Sequence, residues 1–167
     1  MKIIKQPDNI KFGLGAAKDF RFPEKSLVIT SKGASSRGWL NYTNLEKQKC
    51  FHDVEPNPSL DTAKKIISNF KNANIECVIG LGGGSSLDVA KFVGHKLGKK
   101  KILIPTTFGS GSEVTRIAVL TVKGKKTSFH DDEMFADTAI VDPHFIKNSP
   151  IEVIKNSAID ACAQCTE

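Results

Sequence analysis

The chain has 167 residues, 40% apolar and 25% charged, with a net charge of +6; that is enough for one domain with a real core and ordinary for a globular protein. No apolar run approaches the ~20 residues of a membrane span, and Met1-Lys2-Ile3-Ile4-Lys5 lacks the apolar core of a signal peptide, so a cytoplasmic protein with no membrane partner is expected. The excess lysines gather at Lys99-Lys100-Lys101, Lys123 and Lys125-Lys126; with no binding motif or interleaved aromatics they read as solvated loops that attract an anionic small molecule at most, and no nucleic-acid partner is expected.

In chain order, residues 10–13 predict a short strand that meets a glycine turn at Gly13 and Gly15. Residues 26–30 predict the next strand, followed by the polar turn Ser31-Lys32-Gly33 and a helix within 34–46. Residues 51–54 read as a short strand and Asn57-Pro58 as a turn. Ser59 is placed to cap a helix whose Leu60, Ala63, Ile66, Ile67 and Phe70 share one buried face. Residues 77–81 form an apolar run typical of a buried strand. Gly82-Gly83-Gly84-Ser85 follows it, with a helical pattern from about Leu87. Residues 101–105 predict another strand, and 106–115 a loop rich in hydroxyls and glycine. Residues 117–122, the hairpin turn Lys123-Gly124-Lys125 and a short strand within 137–141 lead to Val141-Asp142-Pro143. Ser149-Pro150-Ile151-Glu152 carries helix-start signals, with Ser149 as cap. That helix is expected to run to Glu167 with Ile151, Ile154, Ala158, Ala161 and Cys165 on its apolar face. A chain ending inside a helix reads as cut, and its uncovered face predicts instability or association.

Strand and helix alternate four times before residue 105, which argues for an α/β fold with a Rossmann-like parallel sheet and flanking helices. Ligands in such sheets bind beyond the carboxyl ends of the strands. The polar turns at Ser31, Asn57, Gly82–Ser85 and Thr106-Thr107 should therefore converge on one crevice. The strand, glycine turn and helix at 77–91 suit a phosphate, because glycine admits a close ligand and the first helix amides lack partners at the positive end of the dipole. Gly80-x-Gly82-x-x-Ser85 departs from G-x-G-x-x-G at its last position, and no Gly-Lys-Ser/Thr of a Walker loop is present. The four cysteines read as free thiols, the lone Cys162-x-x-Cys165 lacking a second pair for zinc. His52, His95, His130 and His144 read as surface or loop residues.

Taken together the motifs resemble those of the iron-containing (group III) alcohol dehydrogenases. Gly82-Gly83-Gly84-Ser85-Ser86-Leu87-Asp88-Val89-Ala90-Lys91 is similar to that family's cofactor signature. Pro105-Thr106-Thr107-Phe108-Gly109-Ser110-Gly111-Ser112-Glu113-Val114-Thr115 is similar to its second one. Glu55-Pro56-Asn57-Pro58, Val141-Asp142-Pro143 and Ile159-Asp160-Ala161 follow in the family's order. The resemblance implies an α/β dinucleotide-binding domain over 1–148, and at 149–167 the first helix of an all-helical metal and substrate domain. It implies hydride transfer between NAD or NADP and an alcohol–aldehyde (or ketone) pair, with iron or zinc polarising the substrate oxygen. A small-molecule substrate is implied, and a homodimer is compatible. By the same resemblance Gly83, Gly84 and Ser85 cradle the pyrophosphate, with Asp88 supporting the turn. Asn57 approaches the adenosine, Thr106, Thr107, Ser110 and Thr115 line the cleft, and Lys126 reaches a ribose.

Two departures from the family pattern stand out. Ser31 replaces an aspartate that accepts bonds from a ribose 2′-hydroxyl, and Lys32 and Arg37 lie nearby, which favours NADP over NAD. In the family's metal helix, Asp-x-x-x-His becomes Asp160-Ala161-Cys162-Ala163-Gln164. Gln164 thus offers a neutral amide where imidazole is expected, a weaker donor toward iron or zinc. The chain is expected to bind cofactor without catalysing turnover alone, so no catalytic residue is assigned within it. A non-catalytic nucleotide-binding module and a dehydroquinate synthase-like lyase are the alternatives, the second disfavoured by the Thr106–Thr115 loop.

Overall fold

Short apolar runs become strands here because a central parallel sheet buries both of their faces. The computed structural model describes residues 4–147 and 149–166. Its strands are β1 (Asn9–Phe12), β2 (Ser26–Thr30), β3 (Lys49–Phe51), β4 (Cys77–Gly82), β5 (Lys100–Pro105), β6 (Ile117–Val122), β7 (Lys125–His130) and β8 (Thr138–Val141). Six of them form a parallel sheet in the order β1-β8-β5-β4-β2-β3, while β6 and β7 pair as a separate antiparallel hairpin. β2 and β4 are buried along their whole length. Leu27, Ile29, Val78 and Leu103 face one core, shared with α3 (Leu60–Phe70) and α4 (Gly84–Leu97). Val28, Ile79, Leu81 and Ile104 face the other, against α1 (Lys32–Ser36), α2 (Trp39–Tyr42) and α5 (His144–Lys147). This is the Rossmann-like α/β sheet expected from the alternation of elements. α4 lies close to the sheet because Gly80 has no side chain: a Cβ there would sit 2.8 Å from Ala90 Cβ and 2.9 Å from Leu103 Cδ2.

Ser59 caps α3 as expected, its Oγ accepting from the Thr62 N–H. Elsewhere the structure departs from the sequence expectations for identifiable reasons. The helix expected within 34–46 is two short ones, broken at Gly38 in the left-handed region with φ 71°. β3 lies two residues earlier than expected, although Val54 still donates to the Thr30 carbonyl beside β2. α4 begins at Gly84, three residues before Leu87. Lys101 is not a solvated loop residue: it is buried in β5 with its ammonium 3.4 Å from Asp137. The short α5 carries no periodic signal of its own.

The last helix, α6 (Ile151–Thr166), lies across the carboxyl edge of the sheet; Asn148 and Glu167 fall outside the described residues. Ser149 does not cap it. Its hydroxyl donates to the Phe145 carbonyl, and the Pro150 carbonyl accepts the first helical bond from Ile154, which puts Pro150 at the cap. The expected apolar face is only partly covered, as its lack of a later covering segment predicts. Ile154 and Ala161 meet the body together with Ser157 and Asp160, while Ile151 and Ala158 are exposed.

Val141-Asp142-Pro143 ends the sheet with a buried carboxylate that joins three separate segments. Asp142 accepts from the Gly15 and Ala17 N–H groups of the N-terminal turn, from the Tyr42 hydroxyl at 2.9 Å and from the His144 N–H at 3.0 Å. Burial works against its ionised form, but these donors outweigh it and hold the carboxyl below its ordinary value. Burial, with the carboxylate beside it, pushes Tyr42 up to about 12. The folded-state pKa is depressed, so the Asp142 contribution is complete above 3.8 and is lost as pH falls through the folded value. Asp142→Asn should cost about 2 kcal/mol at neutral pH, the scale of a buried hydrogen-bonded charge. In urea denaturation, the gap to wild type should narrow as pH drops below that range.

Candidate functional site at the carboxyl edge of the sheet

Parallel strands in register bring their following turns to one edge. Thr30 pairs with Leu81, and Gly82 with Pro105. The Thr30 hydroxyl donates to the Leu81 carbonyl at 2.6 Å, and the Thr106 N–H to the Gly82 carbonyl at 3.0 Å. Ser31, Gly83 and Thr106 therefore leave the sheet side by side.

Gly83 occupies the N-cap position of α4 and has no side chain to cap it. The Gly84 and Ser85 amides begin the helix at its positive end, where an anion is favoured. The hydroxyl-rich loop folds back over this turn. A Cβ on Gly83 would lie 3.2 Å from Thr107 Oγ1, and one on Gly84 would lie 3.3 Å from Ser110 Oγ. Side chains at either position would fill the space between turn and loop. Asp88, expected to support the turn, and Thr115, expected to line the cleft, are held by contacts inside the protein. Asp88 accepts from the Ser112 hydroxyl and the Val119 N–H and pairs with Lys91, and Thr115 Oγ1 lies 3.4 Å from the Lys91 ammonium.

The other expected residues lie along the rim. Asn57 adopts φ 51°, and its carbonyl accepts from the Thr121 hydroxyl. Lys126 stands opposite Thr121 in the hairpin, so Asn57 and Lys126 share one exposed wall. Ser31 caps α1, its Oγ accepting from the Ala34 N–H. Lys32 is paired with Asp53 at 3.3 Å, and the Arg37 guanidinium lies over Gly33 and 5.2 Å from the Trp39 ring.

Between the loop and α6 opens a cleft of about 500 Å³ whose walls include Thr106, Thr107, Phe108, Phe145 and Gln164. Glu113 lines it too. Burial pushes its carboxyl above the usual range, with Lys91 partly opposing the shift. Sequence reasoning passed over both Glu113 and Lys91. The signal available was two charged residues inside otherwise apolar or hydroxyl-rich motifs.

Asp160 reaches this cleft wall from α6 and sits directly on the loop: a Cβ on Gly109, at φ 104°, would be 2.5 Å from its Oδ2. Gln164 is one turn further along and exposed. One carboxylate and one neutral amide do not make a metal centre, and no imidazole joins them among the described residues. The one group of three metal-type donors among those residues is His95, Asp131 and Glu133, at the opposite end of α4. His95 thus belongs to a helix, and His144 stacks on Tyr42 at 3.7 Å. The thiols are free; burial raises Cys77 to about 12, while Cys162 and Cys165 are exposed. No described helix is long and apolar enough to cross a membrane.

Comparison with known proteins agrees with this geometry. Residues 7–143 match the family model described as iron-containing alcohol dehydrogenase. Over 138 residues the chain is 37% identical to long-chain-alcohol dehydrogenase 1 of Geobacillus thermodenitrificans, covering 70% of this chain and 35% of that one. Among solved structures, an iron-containing alcohol dehydrogenase of Thermotoga maritima superposes with a TM-score of 0.84 at 27% identity over 95% of this chain and 52% of its own. Sulfoacetaldehyde reductase of Bifidobacterium kashiwanohense, solved in complex with NAD+, superposes at 0.87 and 26% identity over 96% and 51%. The chain thus spans about half of these solved chains and about a third of the curated relative.

Gly109 and Gly124 both have positive φ, but a Cβ on Gly124 meets nothing within 4 Å. Alanine at either costs about 1–2 kcal/mol of backbone strain. Gly109→Ala adds a clash with Asp160, worth about 1–3 kcal/mol in packed surroundings. Thermal melts should therefore show a clearly larger drop for Gly109→Ala; equal drops would mean that α6 does not rest on the loop.

Proposed function

Because the chain belongs to the iron-containing alcohol dehydrogenase family, we propose that it provides the nicotinamide-dinucleotide site of an oxidoreductase interconverting an alcohol and an aldehyde or ketone. Residues 1–148 would be the dinucleotide domain, and the helix beginning near 149 would open a helical domain. The observation that carries this reading is the uncapped start of α4 under a roof of hydroxyls.

In this reading the Gly84 and Ser85 amides bind the pyrophosphate, and Gly83 and Gly84 keep side chains out of its way. Thr106, Thr107 and Ser110 offer hydroxyls along the cleft toward α6. Asn57 and Lys126 take the adenosine end. When bound, the dinucleotide supplies the hydride acceptor or donor. The Phe108, Phe145 and Ile146 side chains narrow water access to the cleft, which strengthens polar contacts inside it. A small alcohol or aldehyde is the substrate class. Asp160 and Gln164 do not fit a metal by themselves.

The turn after β2 favours NADP over NAD. Ser31 presents no carboxylate to a 2′-phosphate, and its hydroxyl is engaged in capping α1. Arg37 supplies a cation beside that turn that is not part of the Lys32–Asp53 pair.

Titration of the 167-residue chain with NADPH and NADH, followed by nicotinamide fluorescence, should give saturable binding with the lower Kd for NADPH and no alcohol turnover. Ser31→Asp should move the ratio of the two Kd values toward NADH by about tenfold, equivalent to about 1.4 kcal/mol. Binding of neither nucleotide would overturn the proposal; an unchanged ratio in Ser31→Asp would remove Ser31 as the selector.

A further inference from the structure

Lys91 is the largest side chain that the fold buries completely. It sits within α4, one turn past Asp88, and the two are 3.0 Å apart on one face of the helix. Its ammonium donates to the Ser112 carbonyl at 2.8 Å, to the Ile117 carbonyl, and toward the Thr115 hydroxyl at 3.4 Å. Asp88 accepts from the Ser112 hydroxyl at 2.6 Å and from the Val119 N–H at 3.0 Å. One short face of α4 therefore pins Ser112, Thr115, Ile117 and Val119, spaced along a single segment.

Burying an ion pair is costly, and an apolar pair of similar volume often serves stability as well or better. Burial indeed lowers the Lys91 pKa from its ordinary value, with the Asp88 carboxylate opposing the shift. What an apolar pair cannot supply is directed bonds to backbone carbonyls and an amide. Those bonds set the height and register of the segment relative to α4. The same helix begins at Gly84, where the other half of the loop rests Thr107 and Ser110 against Gly83 and Gly84. Both walls of the pyrophosphate turn are thereby referenced to one rigid element.

We propose that Asp88 and Lys91 form a positioning strap that holds the Thr106–Thr115 loop over the Gly83–Ser85 turn and so sets dinucleotide affinity without touching the dinucleotide. The inference rests on the cofactor reading above and assigns Asp88 and Thr115 an indirect role in it. The strap governs the pyrophosphate and nicotinamide side of the cleft. On the adenosine side, Ser31 stands on β2 and α1, while Asn57 and Lys126 meet the strapped segment only beyond Val119, at Thr121.

The test compares two ligands on the full chain: NADPH, and adenosine 2′-monophosphate, which lacks the 5′-phosphate, as a probe of the adenosine end. The variants are Asp88→Asn/Lys91→Met, which removes both buried charges at nearly constant volume, and Ser112→Ala, which removes only the hydroxyl bonded to Asp88. The double variant should raise the NADPH Kd at least tenfold and change the adenosine 2′-monophosphate Kd less than twofold. Ser112→Ala should raise the NADPH Kd about threefold, or about 0.65 kcal/mol, with the same selectivity, and it carries the test if the double variant fails to fold. Parallel weakening of both ligands, or an NADPH Kd unchanged within twofold in folded variants, would overturn the strap. Failure of the wild-type chain to bind NADPH would instead strike the cofactor reading beneath it.

Discussion

A helix leaves its first amides without partners, and the arrangement of this chain turns on one such helix end. α4 starts at Gly84 with no side-chain cap, against the most deeply buried strands of the sheet. Its opposite polarity is satisfied in the ordinary way, by Gly98 in the left-handed region and by His95 and Lys96 in the last turn. The amino end is the one left open. Around it the chain places strand ends in register, a loop of hydroxyls and a hairpin wall. A charged cap would have neutralised that end locally; glycine keeps it available to an anion.

The surrounding polar contacts keep the crevice in shape more than they fill it. Asp142 closes the N-terminal turn, α2 and α5 into one knot beside the cleft, and the Asp88–Lys91 pair does the same for the loop and hairpin on the other side. Each is a buried charge whose hydrogen-bond needs are met from separate segments, which makes it directional where apolar packing is not. The cleft between them is lined by apolar side chains near its α6 wall and by hydroxyls near the helix end. That gradient suits a ligand with one anionic and one flatter, less polar end.

Much of the fold was legible in the sequence because strand and turn signals are local. β2, β6 and the capped start of α3 fall where their residues predict, since Val/Ile-rich runs, Lys123-Gly124 and Ser59 act within a few positions. The glycine turn and the hydroxyl loop were legible as neighbours in one crevice, and the structure brings them together at the start of α4. What could not be read depends on contacts between distant residues. The helical pattern suggested a start at Leu87, but the helix begins at Gly84, with Gly83 as its N-cap, because β4 and the loop hold the turn there. Lys91 and Lys101 look like surface lysines in sequence, and only the partners Asp88 and Asp137 explain their burial. Likewise Ser149 has the right neighbours for a cap, yet the first helical bonds go to the Pro150 carbonyl, which leaves Ser149 one residue before the cap.

The metal side of the family pattern is the least developed part of this chain. Asp160 is seated on Gly109, and Gln164, where the family resemblance implies a histidine, lines the cleft with an amide. The proposed anion site at the start of α4 does not depend on that last helix. Its sharpest test is the backbone amide chemical shifts of the isotopically labelled chain during titration with NADPH. The largest saturable shifts are expected at the Gly83, Gly84 and Ser85 amides, followed by Thr107 and Ser110. Saturable shifts elsewhere that leave these amides unmoved, or no shifts at all, would contradict it.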